Sequence, residues 1–593
     1  MLNFFKKYRH YFILGLGALF LIGLPIINQF SAVGWHWQGV PLDIPNYYYA
    51  RQYEILDGQP FMGNPYFWEH RQEIAPAFFL ADWLVVIPVL LGFSTGVASL
   101  INLIGFTALF IWLGYYWLGQ VGVSKIWSSV GALLVTVLVY SYLITPVSMQ
   151  VIYPTFLLFL IAFWQWRENP FAKKTQIFLV SASVLTFYIY TYLWQIAMAW
   201  LGLFFLYFLY TKEYKLVKRL FGLGLFTFIF SLPLFVYTWK QISHPFYWDS
   251  MERIGLVYTH LPTMVVFYTG EWLFLLTLLW YLFYLWTKEV RGSVEYRKVG
   301  LFLASLGLAL LIACLSNVFL GKELETAQHV DRFIKVWFGL SITSWLFFYK
   351  KFFSSLKNRS IVKTWIIALL AGFIILGGGY YYSAGEIVNL VPKLSVNKDR
   401  VRIQEKISSL QWLESAETKP VVVWSNSEML NSLLPITTKH YVLFTNYGIL
   451  HLLSSEEVED RYLISKYFSN LDRAVLEADL RQYAGSARAL HEANTHNREV
   501  RLCQILQLKT FNLVKDCGKL TNPIAWKGES YFSNLLVNYR ANVSSNITDK
   551  LARYHVTYLI KDIDGDKDFA PEKIVGTRLV HADAQMKIYK LEY

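Results

Sequence analysis

Apolar runs recur along the first two thirds of the chain, at 11–30, 97–118, 126–145, 151–166, 175–191, 194–210, 219–238, 264–286, 299–320, 333–349 and 361–382. At 1.5 Å rise per residue, runs of this kind cross or nearly cross a hydrocarbon core of about 30 Å, and the pattern predicts about eleven transmembrane helices. A further apolar stretch, 76–93, decides the orientation, because a full crossing there moves every later loop to the other side. Lys125, the loops holding Arg167, Lys173 and Lys174, then Lys212 to Arg219, Lys288 to Lys298, and Lys350 to Lys363 share a side with Lys6, Lys7 and Arg9 only if 76–93 does not cross. The excess of Lys and Arg in cytoplasmic loops favours that arrangement. Asp82 argues the same way, since a carboxylate at bilayer depth costs about 2.5–3.5 kcal/mol on insertion scales. The expected topology has 76–93 lying at the interface or dipping in and returning, with 31–75 and everything after 383 outside.

From 383 onward the pattern changes to mixed polar sequence. Val421-Val422-Val423-Trp424 reads as a buried strand, 454–468 as a capped helix, 551–561 as a helix end running into a strand, and 576–591 as a hairpin. The fold class expected is a polytopic α-helical membrane protein with a C-terminal extracytoplasmic α/β domain. Its parts are a membrane domain over 1–382, with 31–96 as a first outer loop carrying interfacial helices, and a soluble domain over 383–593.

Composition sharpens this. The 593 residues are 55% hydrophobic and only 16% charged, against roughly 25% charged for ordinary soluble domains. The net charge of +13 sits mainly in short loops between apolar runs, which reads as topology and excludes nucleic acid as the partner. Basic residues before the first apolar run resemble a signal peptide, but the run is of span length and no clear small-residue cleavage site follows, so an uncleaved first helix in the plasma membrane is expected. Of three cysteines, Cys314 lies in an apolar run, while Cys503 and Cys517 share the C-terminal part, where a disulfide is allowed but not required. The acids of Asp562-Ile-Asp564-Gly-Asp566-Lys-Asp568 alternate as in a calcium loop, but the sixth-position Gly and twelfth-position Glu are missing, so a polar turn is expected. No P-loop, dinucleotide fingerprint, zinc pattern or serine-hydrolase elbow occurs.

The first outer loop carries the densest chemistry: Asp43-Ile-Pro-Asn-Tyr47-Tyr-Tyr-Ala50-Arg51-Gln-Tyr-Glu54-Ile-Leu-Asp57-Gly58, then Asn64-Pro-Tyr-Phe-Trp-Glu69-His70-Arg71. On spacing alone Asp43 reads equally as the N-cap of a short helix that Gly58 ends. With Tyr47, Ala50, Asp57 and Gly58, followed by the Pro76–Leu91 stretch and Gly92-Phe93-Ser94, the loop resembles that of GT-C fold membrane glycosyltransferases. The helix–loop order and the C-terminal domain extend the resemblance across most of the chain.

The resemblance implies an enzyme that takes a sugar from a polyprenyl-phosphate-linked donor and passes it, with inversion, to a glycan, lipid or protein acceptor outside the membrane. Asp43 would be the general base, because an acceptor hydroxyl must lose its proton as it attacks the anomeric carbon. The leaving phosphate gains charge, so arginines placed beside it lower the barrier. Arg253, near His244 and Glu252, and Arg332, near His329 and Asp331, qualify, each balanced against a structural role beside its neighbouring acid or at the headgroups. Tyr47, His329 and the cluster Glu69, His70 and Arg71 are candidate substrate contacts. No cofactor is evident. Asp43 has no adjacent acid, so the paired-carboxylate metal site of some GT-C enzymes is not evident either, which leaves a divalent metal open. The rival readings are a transporter or flippase of lipid-linked intermediates and a non-catalytic cell-envelope assembly protein.

Overall fold

A computed structural model of the chain describes residues 2–40, 47–59, 61, 63–75, 80–144, 148–260, 269–286, 294–324, 326–356, 395–485, 500, 503–511, 513, 517 and 527–593. Asp43 and the expected span 361–382 lie outside these described residues. Among the described residues, six helical stretches are long and apolar enough to cross a membrane: Tyr8–His36, Thr95–Gln120, Met149–Glu168, Thr191–Tyr210, Tyr214–Ile242 and Tyr296–Cys314. Helices Lys125–Leu138, Lys173–Ile189, Thr269–Trp286 and Thr326–Leu356 occupy four further apolar runs, outside that group of six. The run 126–145 is interrupted, since its first helix stops at Leu138 and a short one, Tyr140–Ile144, follows.

The helices pack on rings. Trp117, Trp166, Trp200 and Trp337 are fully buried together with Phe163 and Phe302, and two of the indoles find partners, Trp200 on Ser305 Oγ at 2.9 Å and Trp337 on the Leu303 carbonyl at 2.8 Å. That is what a buried indole requires, a large apolar body with its N–H satisfied. Leu80–Leu90, inside the stretch that decides the orientation, is an 11-residue helix of about 17 Å, well below the thickness of a hydrocarbon core. Its Asp82 is buried, and Arg51 meets it at 2.8 Å.

Seven short strands are described. β1 (Leu256–Val257) pairs antiparallel with β2 (Glu323–Leu324). β3 (Val422–Trp424), β4 (Tyr441–Val442), β5 (Val556–Asp562), β6 (Thr577–Ala582) and β7 (Met586–Leu591) form one sheet in the order β4-β3-β5-β7-β6. β4, β3 and β5 run parallel, and β5, β7 and β6 antiparallel. Helices Lys398–Ala416, Glu428–Thr437 and Ser455–Ser465 join this part. Ser454 caps the last by accepting from Glu457 N at 3.1 Å. Lys406 holds the first of these helices to β5 through a fully buried ion pair with Asp562 at 2.6 Å. Cys503 and Cys517 are joined, with Cα atoms 5.7 Å apart. The core around the sheet also takes in Tyr49, Ala50, Tyr66 and Phe67 of the 47–75 segment, so two parts of the chain far apart in sequence share one interior.

Candidate functional site

After residue 40, the described part of the loop expected to lie outside resumes at the helix Tyr47–Leu56. It stops because Gly58 adopts φ +85°, a left-handed conformation that costs glycine little. One face of the helix, through Arg51, reaches Asp82, and Tyr47 packs its ring against Tyr447 and His451, with centroids 6.3 and 5.9 Å away. Another face meets β4, where Tyr441 donates its hydroxyl to Glu54 Oε1 at 3.1 Å. His451 is 2% exposed, and neither ring nitrogen has a partner among the described residues. Burial, followed by the charges of Arg51 and His70, pulls its pKa down to about 3, so it is a neutral imidazole beside Tyr47.

The cluster Glu69, His70 and Arg71, a candidate for substrate contact, clamps the loop to the C-terminal part. Glu69 takes a 2.6 Å bond from Arg461, and His70 lies between Glu457 at 3.0 Å and Glu73 at 2.8 Å. Arg71 folds back over the Trp68 ring at 3.3 Å and donates to the Trp68 carbonyl at 2.6 Å. Arg461 is the hub: it is fully buried, bonded to Glu69, Glu457 and the Leu443 carbonyl, and held between the rings of Phe67 and Tyr554 at 4.3 and 4.1 Å. Gly448 lets Phe67 in, since a Cβ there would meet that ring at 2.4 Å.

Of the two roles open to Arg253, phosphate contact or structure, its contacts are structural. It is 3% exposed, and its guanidinium donates to the carbonyls of Ile449, His451 and Leu453 at 2.9, 3.3 and 2.6 Å, and to the hydroxyls of Ser250 and Ser455. The motif around Arg253 forms the helix Tyr247–Ile254, and its arginine ties that helix to the 449–455 segment. With its donors engaged this way, Arg253 is a tether in this structure, and no described contact brings it to Arg332.

Arg332 has the opposite environment. On the helix Thr326–Leu356, His329, Arg332 and Lys335 recur every three residues, which sets them along one flank. Tyr190 hydrogen-bonds His329 Nδ1, and the Tyr192 ring stacks on the imidazole at 4.3 Å. Both tyrosines come from a sharp break, where Tyr190 alone is extended between the helices Lys173–Ile189 and Thr191–Tyr210. Tyr142 is flanked by the Arg332 guanidinium at 5.4 Å and the Lys335 ammonium at 4.8 Å. Tyr48, Tyr153 and Tyr190 also lie around Arg332. Among the described residues no carboxylate forms an ion pair with its guanidinium. The result is a tyrosine-lined cationic recess that Tyr48, from the first outer loop, helps to close. Among the described residues, no group of three His, Cys, Asp or Glu is placed to hold a metal ion.

The electrostatics of the clamp give a pH dependence. Burial pushes the Glu54 carboxyl up to about 8, although the Tyr441 hydroxyl favours its anion. Burial lowers His70, but its bonds to Glu457 and Glu73 outweigh that and raise it to about 9. Both groups hold protons more tightly folded than unfolded. Their stabilisation is therefore complete below the ordinary values of 4.5 and 6.5 and is lost as pH rises through about 8 and about 9. The melting temperature of the purified protein is expected to fall between pH 6.5 and 9. Glu54→Gln, which imitates the protonated form, is expected to flatten the part of that fall below pH 8. A wild-type melting temperature that stays level over this range contradicts the assignment.

No family model matches the chain, and no curated protein matches it. Among solved structures it is similar to an oligosaccharyltransferase of Archaeoglobus fulgidus, crystallised with a tethered acceptor peptide containing an NVT sequon. The two are 13% identical, and the match covers 100% of this chain and 75% of that one with a TM-score of 0.44. A score of that size carries no weight for fold or chemistry, which rest on the chain's own residues.

Proposed function

We propose that this membrane protein is a glycosyltransferase that moves a sugar from a polyprenyl-phosphate-linked donor to an acceptor hydroxyl or amide outside the membrane. The observation that supports it is Arg332, a guanidinium without a carboxylate partner among the described residues, in a tyrosine-rich recess that the first outer loop helps to close. A phosphate leaving group suits that recess, because the planar guanidinium offers two parallel N–H donors and His329 and Lys335 add donors on the same flank. Asp43, four residues before Tyr47 in the chain, is the general base of this reading. The acceptor attacks the anomeric carbon, its proton passes to the Asp43 carboxylate, and the bond from that carbon to the phosphate oxygen breaks to release polyprenyl phosphate. A single displacement of this kind inverts the anomeric centre.

The test is Arg332→Ala in a reconstituted transfer assay. A phosphate contact acts in both the ground and transition states, so the KM for the donor is expected to rise, kcat to fall, and kcat/KM to drop by roughly 10²-fold, with Arg332→Lys recovering part of the loss. Unchanged kinetics in Arg332→Ala would move the donor site elsewhere.

A further inference from the structure

The carboxyl ends of the parallel strands open onto a cleft of about 210 Å³ that the donor chemistry does not use. Ser425 and Asn426 follow β3, Thr445 and Asn446 follow β4, and Asp566 follows β5, and Lys466 and Gln482 complete the lining. In open α/β sheets the crevice beyond the strand ends is where ligands bind. The volume lies below the roughly 300–1,000 Å³ of drug-sized pockets and suits a single ring.

The lining selects the ligand chemistry. Lys466 is paired with Asp479 at 2.7 Å, so among the described residues the cleft has no free cation for a phosphate. No three-ligand metal group exists among the described residues, so its acids do not make a cation site. What is left is a surface of hydroxyls, amides and carboxylates. Asn426 Oδ1 is taken by the Trp424 indole at 3.2 Å, which leaves the N–H donors of its amide toward the ligand side of the balance. Asp566 also lines the cleft; its Oδ2 has no hydrogen-bond partner, while the backbone N–H groups of Asn426 and Phe569 face its carboxylate. A free amide donor and a carboxylate with spare acceptor capacity in one small polar cleft match a ligand whose hydroxyls both donate and accept.

We propose that this cleft binds one ring of a neutral carbohydrate, with Asn426 and Asp566 as its main hydrogen-bonding groups. On the glycosyltransferase reading, that ring belongs to the acceptor. The loop that supplies Thr445 and Asn446 continues to Tyr447 and His451, which pack on Tyr47, so one short segment joins the cleft to the first outer loop.

The experiment is saturation-transfer NMR on the full chain in detergent with maltose, cellobiose, chitobiose and mannobiose, with inorganic phosphate and calcium as competitors. At least one disaccharide is expected to bind with millimolar affinity, unaffected by either competitor. Asp566→Asn is expected to weaken it about tenfold at an unchanged melting temperature, and Asn426→Ala, which also leaves the buried Trp424 indole without its acceptor, to weaken it about tenfold with a lowered one. The proposal is overturned if no disaccharide binds, if binding is indifferent to both substitutions, or if phosphate or calcium displaces the sugar. The readout is binding and not transfer. Sugar binding in a protein that transfers nothing overturns only the enzymatic reading, and transfer without binding at the cleft overturns only this one.

Discussion

Asp43→Asn is expected to fold and to keep donor lipid bound, yet to transfer sugar roughly 10²–10⁴-fold more slowly than the wild-type protein. The amide matches the carboxylate in size and keeps its hydrogen-bonding reach, but it cannot take the proton that the acceptor must lose. The loss should therefore appear in kcat, with little change in the donor's KM, the reverse emphasis from Arg332→Ala. A purified, reconstituted protein and a lipid-linked donor suffice for the measurement. Glu69 would be the next base by sequence, but it is bonded to Arg461 at 2.6 Å. A wild-type rate in Asp43→Asn would thus count against this loop as the catalytic element, and not merely transfer the role to a neighbour.

The second large effect is on stability. Arg461→Ala removes a fully buried cation from between Phe67 and Tyr554 and leaves Glu69 and Glu457 facing each other without it. Removing one partner of a buried charge network costs about 3–5 kcal/mol, because the remaining charges are left uncompensated. Glu457 shows how strongly the network acts. Burial pushes its carboxyl up, but the bond from His70 and the charge of Arg461 outweigh this and hold it down at about 2. Arg461→Lys is expected to recover little, since an ammonium cannot bridge two carboxylates and a carbonyl while stacked between two rings. Denaturant unfolding followed by the fluorescence of the C-terminal tryptophans measures this, and an unchanged midpoint would show that Arg461 is not the hub described.

Local signals were legible in the sequence where the chemistry is local. Ser454 caps its helix, Gly58 follows the end of another, and the hairpin β6–β7 lies in the stretch that alternates. Each depends on residues a few positions apart. Arg253 and Arg332 were not separable in this way: each sits beside an acid in a segment between apolar runs, and only the tertiary contacts give one to three carbonyls and leave the other among tyrosines. Arg461 gave no sign either, because its partners Phe67 and Glu69 lie almost four hundred residues away along the chain. The clamp role of Glu69 and His70 has the same origin. A polar cluster in an outer loop looks the same in sequence whether it faces a substrate or a second part of the protein.

The sheet of the C-terminal part has β4 at one edge. The Val442 N–H, on that edge, is occupied by the Tyr66 carbonyl at 2.8 Å, and Asn64 reaches the Gly448 carbonyl at 3.2 Å. An open strand edge recruits other chains, and proteins cover such edges to avoid aggregation. Here the cover is borrowed from a segment more than three hundred residues earlier. A fragment beginning at residue 395 would therefore carry an uncapped strand and the empty seats of Tyr49, Tyr66 and Phe67, a surface prone to stick to its own kind. Supplying the 47–75 segment as a separate peptide is then the natural way to keep such a fragment in solution.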